Sequence, residues 1–194
     1  MKLGREKDDF QRDGFVVIRQ LLPESEFQLL AENIERYIRD VVPTLDATDA
    51  FYQDRRQPET LKQLQNMEQD EFFESYRDHR KWIEVAETLL EEPVIALGPE
   101  WFNKPPGTDH PTPAHQDNYY FNLKPANVLS IWMAMDRVDA DNGCLQYLPG
   151  SHHDGVRPHQ ATQTLGFSQG VAGYTAEESA RETPVHLEPG DVVV

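Results

Sequence analysis

The sequence predicts a mixed α+β chain with a mainly β core of sandwich or jelly-roll type. Three observations carry this. Apolar residues recur every three or four positions up to about residue 90, which is the period of a helix. From about Ile95 the texture changes to short apolar runs. Those runs are separated by Pro, Gly, Asn and Asp, the punctuation of many short strands. A helical part, residues 1–93, is therefore expected to pack on a β core, 94–194, within one domain spanning 1–194.

The elements follow in order. Asp13-Gly14 before Phe15-Val16-Val17-Ile18 reads as a turn and a short buried strand. In PESEFQLLAENIERYIRDVVP, the residues Phe27, Leu30, Ile34, Tyr37, Ile38 and Val41 form one helical stripe, and Pro43 follows its end. A polar loop is expected from Thr44 to about Glu59. A second helical region covers roughly Thr60 to Leu90, with Trp82, Val85, Ala86 and Leu89 on one face and Pro93 as its stop. Strands are expected at Val94–Phe102, Asn118–Leu123, Val128–Met135, Cys144–Leu148, Val185–Leu187 and from Asp191 onward.

Composition narrows the function classes. The net charge is −16 with acidic residues spread along the whole chain, a surface that repels phosphate backbones and anionic lipid. Neither a nucleic-acid nor a membrane partner is expected. The start, MKLGREKDDF, has no apolar stretch, and nowhere do 18 apolar residues run together, so neither a signal peptide nor a membrane span is expected. The single Cys144 excludes an internal disulfide and fits a reducing compartment, with the cytoplasm as default.

The candidate chemistry sits in PAHQDNYYF, residues 113–121. His-x-Asp alone says little, because seven histidines give about 0.6 such pairs by chance. A second such pair, His152 and Asp154 on either side of His153, sits in the turn-like LPGSHHDG, where His153 and Asp154 read as an exposed loop. His115 and Asp117 differ in context. On an extended segment, alternate residues point to one face, so an imidazole and a carboxylate would address one metal. That is two-thirds of the facial triad that holds ferrous iron. A polar strand entry whose histidine bonds only to backbone is the bland alternative. His79 and His110 look like surface residues, and His159 and His186 stay undecided between structure and ligation.

Several segments together resemble the phytanoyl-CoA dioxygenase family of iron(II)/2-oxoglutarate oxygenases. They are DGFVVIRQLL, LKQLQNM, FNKPP, HQDNYYF, the tryptophan of SIWMAMD, DNGCLQYLPGSH and HLEPGDVVV, in the family's order. The resemblance implies a double-stranded β-helix, Fe(II) as metal and 2-oxoglutarate as cosubstrate. It implies hydroxylation of an unactivated C–H bond of a small organic or acyl substrate by O2, with release of succinate and CO2. His115 and Asp117 match the first two iron ligands. Gln116 and Trp132 match residues beside 2-oxoglutarate, although Trp132 also reads as a plain core residue. Lys62 matches a lysine able to reach the cosubstrate carboxylate. Ser151 and His152 resemble a loop at the mouth of the site, facing substrate or serving structure. A polar loop from about Gln160 to Glu182, with Gly166, Gly170 and Gly173, is expected to act as a flexible lid.

In the family a third histidine follows the Gly-Asp-apolar strand, and an arginine for the far carboxylate of 2-oxoglutarate comes after it. Here that strand is Gly190–Val194, so both residues and the last two strands are expected outside these 194 residues. The 194 residues alone are not expected to turn over 2-oxoglutarate. A longer polypeptide is the preferred reading and a true truncation the other. Three terminal valines on an unpaired strand would leave an apolar edge open to water. The rival to the oxygenase is a non-catalytic β-helix domain binding a ligand or partner. A partner chain supplying the missing strands is a third reading, with oligomeric state open.

Overall fold

The computed structural model describes residues 3–107, 111–164 and 167–194, so the expectations for His110 and Gly166 lie outside the described residues. The charged start is a helix, α1 (Gly4–Asp13). It ends where Gly14 takes φ 82° and returns its N–H to the Phe10 carbonyl at 2.8 Å, a left-handed stop that glycine adopts without strain. The buried run after it supplies β1 (Val17–Ile18). The apolar stripe becomes α2 (Glu24–Arg36), continued by a π-helical turn at Tyr37–Val41 and a 3-10 turn at Val42–Thr44.

Two expectations fail in the next stretch. The loop from Thr44 to Glu59 contains β2 (Ala50–Tyr52), and the helix expected from Thr60 begins as β3 (Leu61–Leu64). Leu61, Gln63 and Leu64 are buried, and a ladder to β2 on one side and β4 (Trp101–Phe102) on the other satisfies the strand's backbone. Helix resumes only after Asn66 adopts φ 55°. Asp70 then caps α3 (Glu71–Arg77) by accepting the Phe72 N–H, and α4 (Arg80–Leu90) follows, burying Val85, Ala86 and Leu89 as the stripe predicts.

The largest correction concerns Asn118–Leu123. That aromatic run has strand propensity, yet it forms a short helix, α5 (Asp117–Phe121). Asn122 closes it at φ 51° with its N–H on the Asn118 carbonyl, and the Asn118 side chain bonds both the N–H and the carbonyl of Leu123. Side-chain bonds to nearby backbone here outcompete a ladder. The remaining strands fall inside or beside the expected runs but are shorter. They are β5 (Trp132–Met133) and β6 (Gln146–Tyr147). The polar 160–182 stretch is not an open loop. Its described residues form a hairpin, β7 (His159–Thr164) with β8 (Phe167–Val171), and a one-turn helix, α6 (Ala176–Ser179). Two more strands, β9 (Thr183–Pro184) and β10 (Val192–Val193), complete the described chain.

The residues group into two compact units. One draws its described residues from 22–83 and 94–107 and holds the antiparallel sheet β2–β3–β4. Within it Tyr37 meets Phe73 edge-to-face at 5.3 Å, and Arg36 bonds the capping Asp70 at 2.7 Å, so α2 and α3 are fixed by one ring pair and one ion pair.

The other unit draws from 3–21, 84–93 and 111–194 and carries the sheet β1–β10–β5. β10 is its middle strand, with Val193 opposite Val17 and Trp132. Val16 and Val194 exchange both backbone bonds, and Val192, Val193 and Val194 are buried. The expected open apolar edge is therefore not there. Ala134, Val185, Leu187 and Val193 form the core beneath, joined by Phe15, Val17, Trp132, Val138, Leu145 and Tyr147. At one end of this sheet the buried Asp191 carboxylate accepts four hydrogen bonds, from the Arg19 guanidinium, the Gln20 N–H, the Gln20 amide and the Glu188 N–H. Burial alone would raise its pKa, but Arg19 and these donors outweigh it and hold the carboxyl below its ordinary value.

Candidate metal site

Pro113–Phe121 lies against β8. The Val171 N–H donates to the Ala114 carbonyl at 2.8 Å, and the Tyr120 hydroxyl donates to the Gln169 carbonyl at 2.7 Å. The approach is close at Gly170, where a Cβ would stand 3.1 Å from the Pro113 side chain and 3.3 Å from the Ala114 carbonyl oxygen. His115 packs its ring 4.8 Å from that of Phe167.

Gln116 is extended, at φ −126° and ψ 126°, and immediately precedes α5. Over that single residue the alternation expected of a strand holds, and His115 and Asp117 turn the same way although no strand follows. His115 Nε2 stands 3.4 Å from Asp117 Oδ1. The remaining atoms of both groups are occupied. His115 Nδ1 lies 2.8 Å from the Pro113 carbonyl, to which it can only donate, and the Ser130 hydroxyl donates to Asp117 Oδ2. Burial opposes a charged His115, yet the bonds to Asp117 and Pro113 prevail and raise its pKa. The same His115 contact leads in lowering that of Asp117. The pair is half open, with side chains 23% and 45% exposed.

The other expected residues separate into groups. The Gln116 amide is already engaged, donating to the Gly155 carbonyl at 2.9 Å and accepting the Arg157 N–H at 2.7 Å. Trp132 lies on β5, half-buried against the core. His152 is turned to α1. Its Nε2 sits 3.1 Å from the Gln11 carbonyl, and its ring covers Gly14 so closely that a Cβ there would come within 2.4 Å. Ser151 opens the same 3-10 turn, Ser151–Asp154. Lys62 belongs to the other unit, on β3, where burial and then Lys104 lower its pKa.

His159, undecided from sequence, accepts the Gln116 backbone N–H on Nε2 at 3.1 Å and stacks on Tyr119 at 4.0 Å. Ser130, Phe167 and Arg157 carried no signal in the sequence, because their partners lie 13 to 52 positions away. Beyond Asp117 an open cleft of about 490 Å³ is lined by Asn118, Tyr119, Leu123, Lys124 and Val156. Among the described residues no group of three or more His, Cys, Asp or Glu side chains is arranged to hold a metal.

A family model described as phytanoyl-CoA dioxygenase (PhyH) matches residues 10–194. The chain belongs to the phytanoyl-CoA dioxygenase family. It is 30% identical over 200 residues to the peroxisomal phytanoyl-CoA dioxygenase of Bos taurus, covering 95% of this chain and 58% of that protein. The chain thus spans under two-thirds of the curated relative's length. Among solved structures, EvdO2 from Micromonospora carbonacea var. aurantiaca is 25% identical with a TM-score of 0.70, covering 98% of this chain and 79% of its own. The same protein complexed with 2-oxoglutarate aligns at 24% identity, TM-score 0.70 and the same coverage. EctD from S. alaskensis with bound Fe aligns at 20% identity and TM-score 0.75, over 98% of this chain and 66% of its own. These neighbours give the fold as a cupin-like jelly roll, the class expected from the sequence. Among the described residues no helix is long and apolar enough to cross a membrane.

Proposed function

We propose that this family member carries the His115/Asp117 part of the iron(II) site of a 2-oxoglutarate-dependent oxygenase. Its reaction is hydroxylation of an unactivated C–H bond in a small organic or acyl substrate by O2, with release of succinate and CO2. The observation that carries the reading is the 3.4 Å approach of His115 Nε2 to Asp117 Oδ1. An imidazole nitrogen and a carboxylate oxygen this close would both be able to reach one ferrous ion, for which they are suitable donors.

When bound, Fe(II) with 2-oxoglutarate supplies the oxidising chemistry. The chain's own residues hold and orient. The Pro113 carbonyl keeps the proton on His115 Nδ1 and leaves the Nε2 lone pair for the metal, the usual arrangement behind a ligating histidine. Ser130 holds Asp117 Oδ2 and frees Oδ1. Phe167 and Tyr120 cover the flanks of the imidazole against water. The reading requires a third protein donor, which the family pattern places after the Val192–Val194 stretch. Trp132 and Gln116 are its proposed neighbours for 2-oxoglutarate. A cytoplasmic location belongs to the reading as well, whereas the bovine relative is named as peroxisomal.

The test is succinate formation from 2-oxoglutarate by the intact natural polypeptide, prepared anaerobically with Fe(II). His115→Ala and Asp117→Ala are each expected to lower it by about 100-fold or more with the fold intact. Turnover that survives both substitutions overturns the assignment of His115 and Asp117, and a natural polypeptide that binds no Fe(II) leaves the non-catalytic binding domain as the answer.

A further inference from the structure

The two ligands flank Gln116, and Gln116 is held at three points by one short segment. Its amide donates to the Gly155 carbonyl, its amide oxygen accepts the Arg157 N–H, and its backbone N–H donates to His159 Nε2. That segment is anchored in turn. The Arg157 guanidinium bonds Glu178 Oε1 at 2.6 Å, with both side chains half-buried, and lies 5.9 Å from the centre of the Tyr174 ring. The carboxylate of Glu178 divides its oxygens. Oε1 takes Arg157, while Oε2 takes the Thr175 N–H at 2.8 Å in the reciprocal cap of α6. Tyr174 is tied back by its hydroxyl to Glu182 at 2.6 Å.

We propose that Glu178, acting through Arg157, is a positioning residue for the metal ligands: the ion pair fixes the 155–159 segment, and that segment fixes the peptide between His115 and Asp117. This rests on the iron-site reading above. Glu178 touches neither ligand, and its influence passes through backbone and amide hydrogen bonds. Outer partners of this kind commonly change metal affinity about 10- to 100-fold.

The fold offers a way to separate this role from mere support of α6. Glu178→Gln keeps an oxygen able to accept the Thr175 N–H and removes the charge that binds Arg157. Thr175→Ala removes the hydroxyl of the cap and leaves the ion pair. The intact natural polypeptide is titrated with Co(II), followed by its visible absorption, for wild type, H115A, E178Q, R157A and T175A. In the apoprotein, hydrogen exchange of the Gln116 amide is followed in parallel.

E178Q and R157A are expected to weaken Co(II) binding about tenfold and to speed Gln116 exchange, with T175A within twofold of wild type in both. Equal effects of E178Q and T175A, or none from E178Q and R157A, overturn the proposal. If wild type binds no Co(II), or H115A binds it as well as wild type, the iron-site reading fails instead. The exchange data then still show whether the ion pair orders the Gln116 peptide.

Discussion

The β1–β10–β5 sheet and the ligand segment 113–121 lie in one compact unit and are held by opposite means. In the sheet, backbone pairs with backbone on both sides of β10, the valines are buried, and Asp191 satisfies the end of the ladder. In the ligand segment, side chains carry most of the bonds: Tyr120 to Gln169, Ser130 to Asp117, Gln116 to the 155–157 backbone. The first arrangement is a source of global stability. The second leaves donor atoms reachable at small energetic cost, as a binding site requires. Substitutions in the two regions should therefore register in different measurements.

The largest effect is expected from Asp191→Ala. It removes the one buried acceptor shared by the Arg19 guanidinium and the Gln20 and Glu188 N–H groups and should cost about 3 kcal/mol in urea unfolding. The same carboxylate gives a pH dependence of definite sign. Its folded pKa is depressed, so its contribution is complete above the ordinary value of about 3.9 and is lost as pH falls through the lower folded value. Wild type should lose stability on acidification below about pH 4 more steeply than Asp191→Asn, measured by urea midpoints across that window.

Gly170→Val comes next. The new side chain meets Pro113 and the Ala114 carbonyl, and a loss of about 2 kcal/mol is expected, with metal binding weakened as the ligand segment shifts. Ser130→Ala should leave the urea midpoint almost unchanged and lower Co(II) affinity by about tenfold. Tyr120→Phe is the mildest, about 0.5 to 1 kcal/mol, because the exposed hydroxyl is readily replaced by water at Gln169. A Ser130→Ala variant that loses stability instead of metal affinity would erase the distinction between the two regions.

Legibility in the sequence follows the same division. The buried strips at Val17–Ile18 and Val192–Val193, and the stripe of α2, were readable because burial imposes a period on the chain. The Leu61–Leu64 strand was lost inside a helical reading, since four residues fit either period and only their partners on β2 and β4 decide. The aromatic run 118–121 misled by propensity, because the Asn118 side chain bonding to the Leu123 backbone and the left-handed stop at Asn122 settle its shape. That the His115 and Asp117 side chains stand together could be expected from their spacing. Ser130, Arg157, Glu178 and Phe167 could not, since nothing local marks a residue whose role depends on a distant partner.

The π-helical turn at Tyr37–Val41 has a consequence for how chain length can vary. Tyr37 and Val42 are both buried, five positions apart, where an ordinary helix would pair positions three or four apart. The wide turn therefore accommodates one surplus residue without rotating later side chains away from the interior. Removing one of the exposed residues Arg39 or Asp40 should let the helix close to its normal pitch with Tyr37 and the valine still facing inward. The same deletion within Glu24–Arg36 would turn every later side chain by about 100°. A single-residue deletion is therefore expected to cost less stability at residues 38–41 than within Glu24–Arg36, as urea midpoints would show.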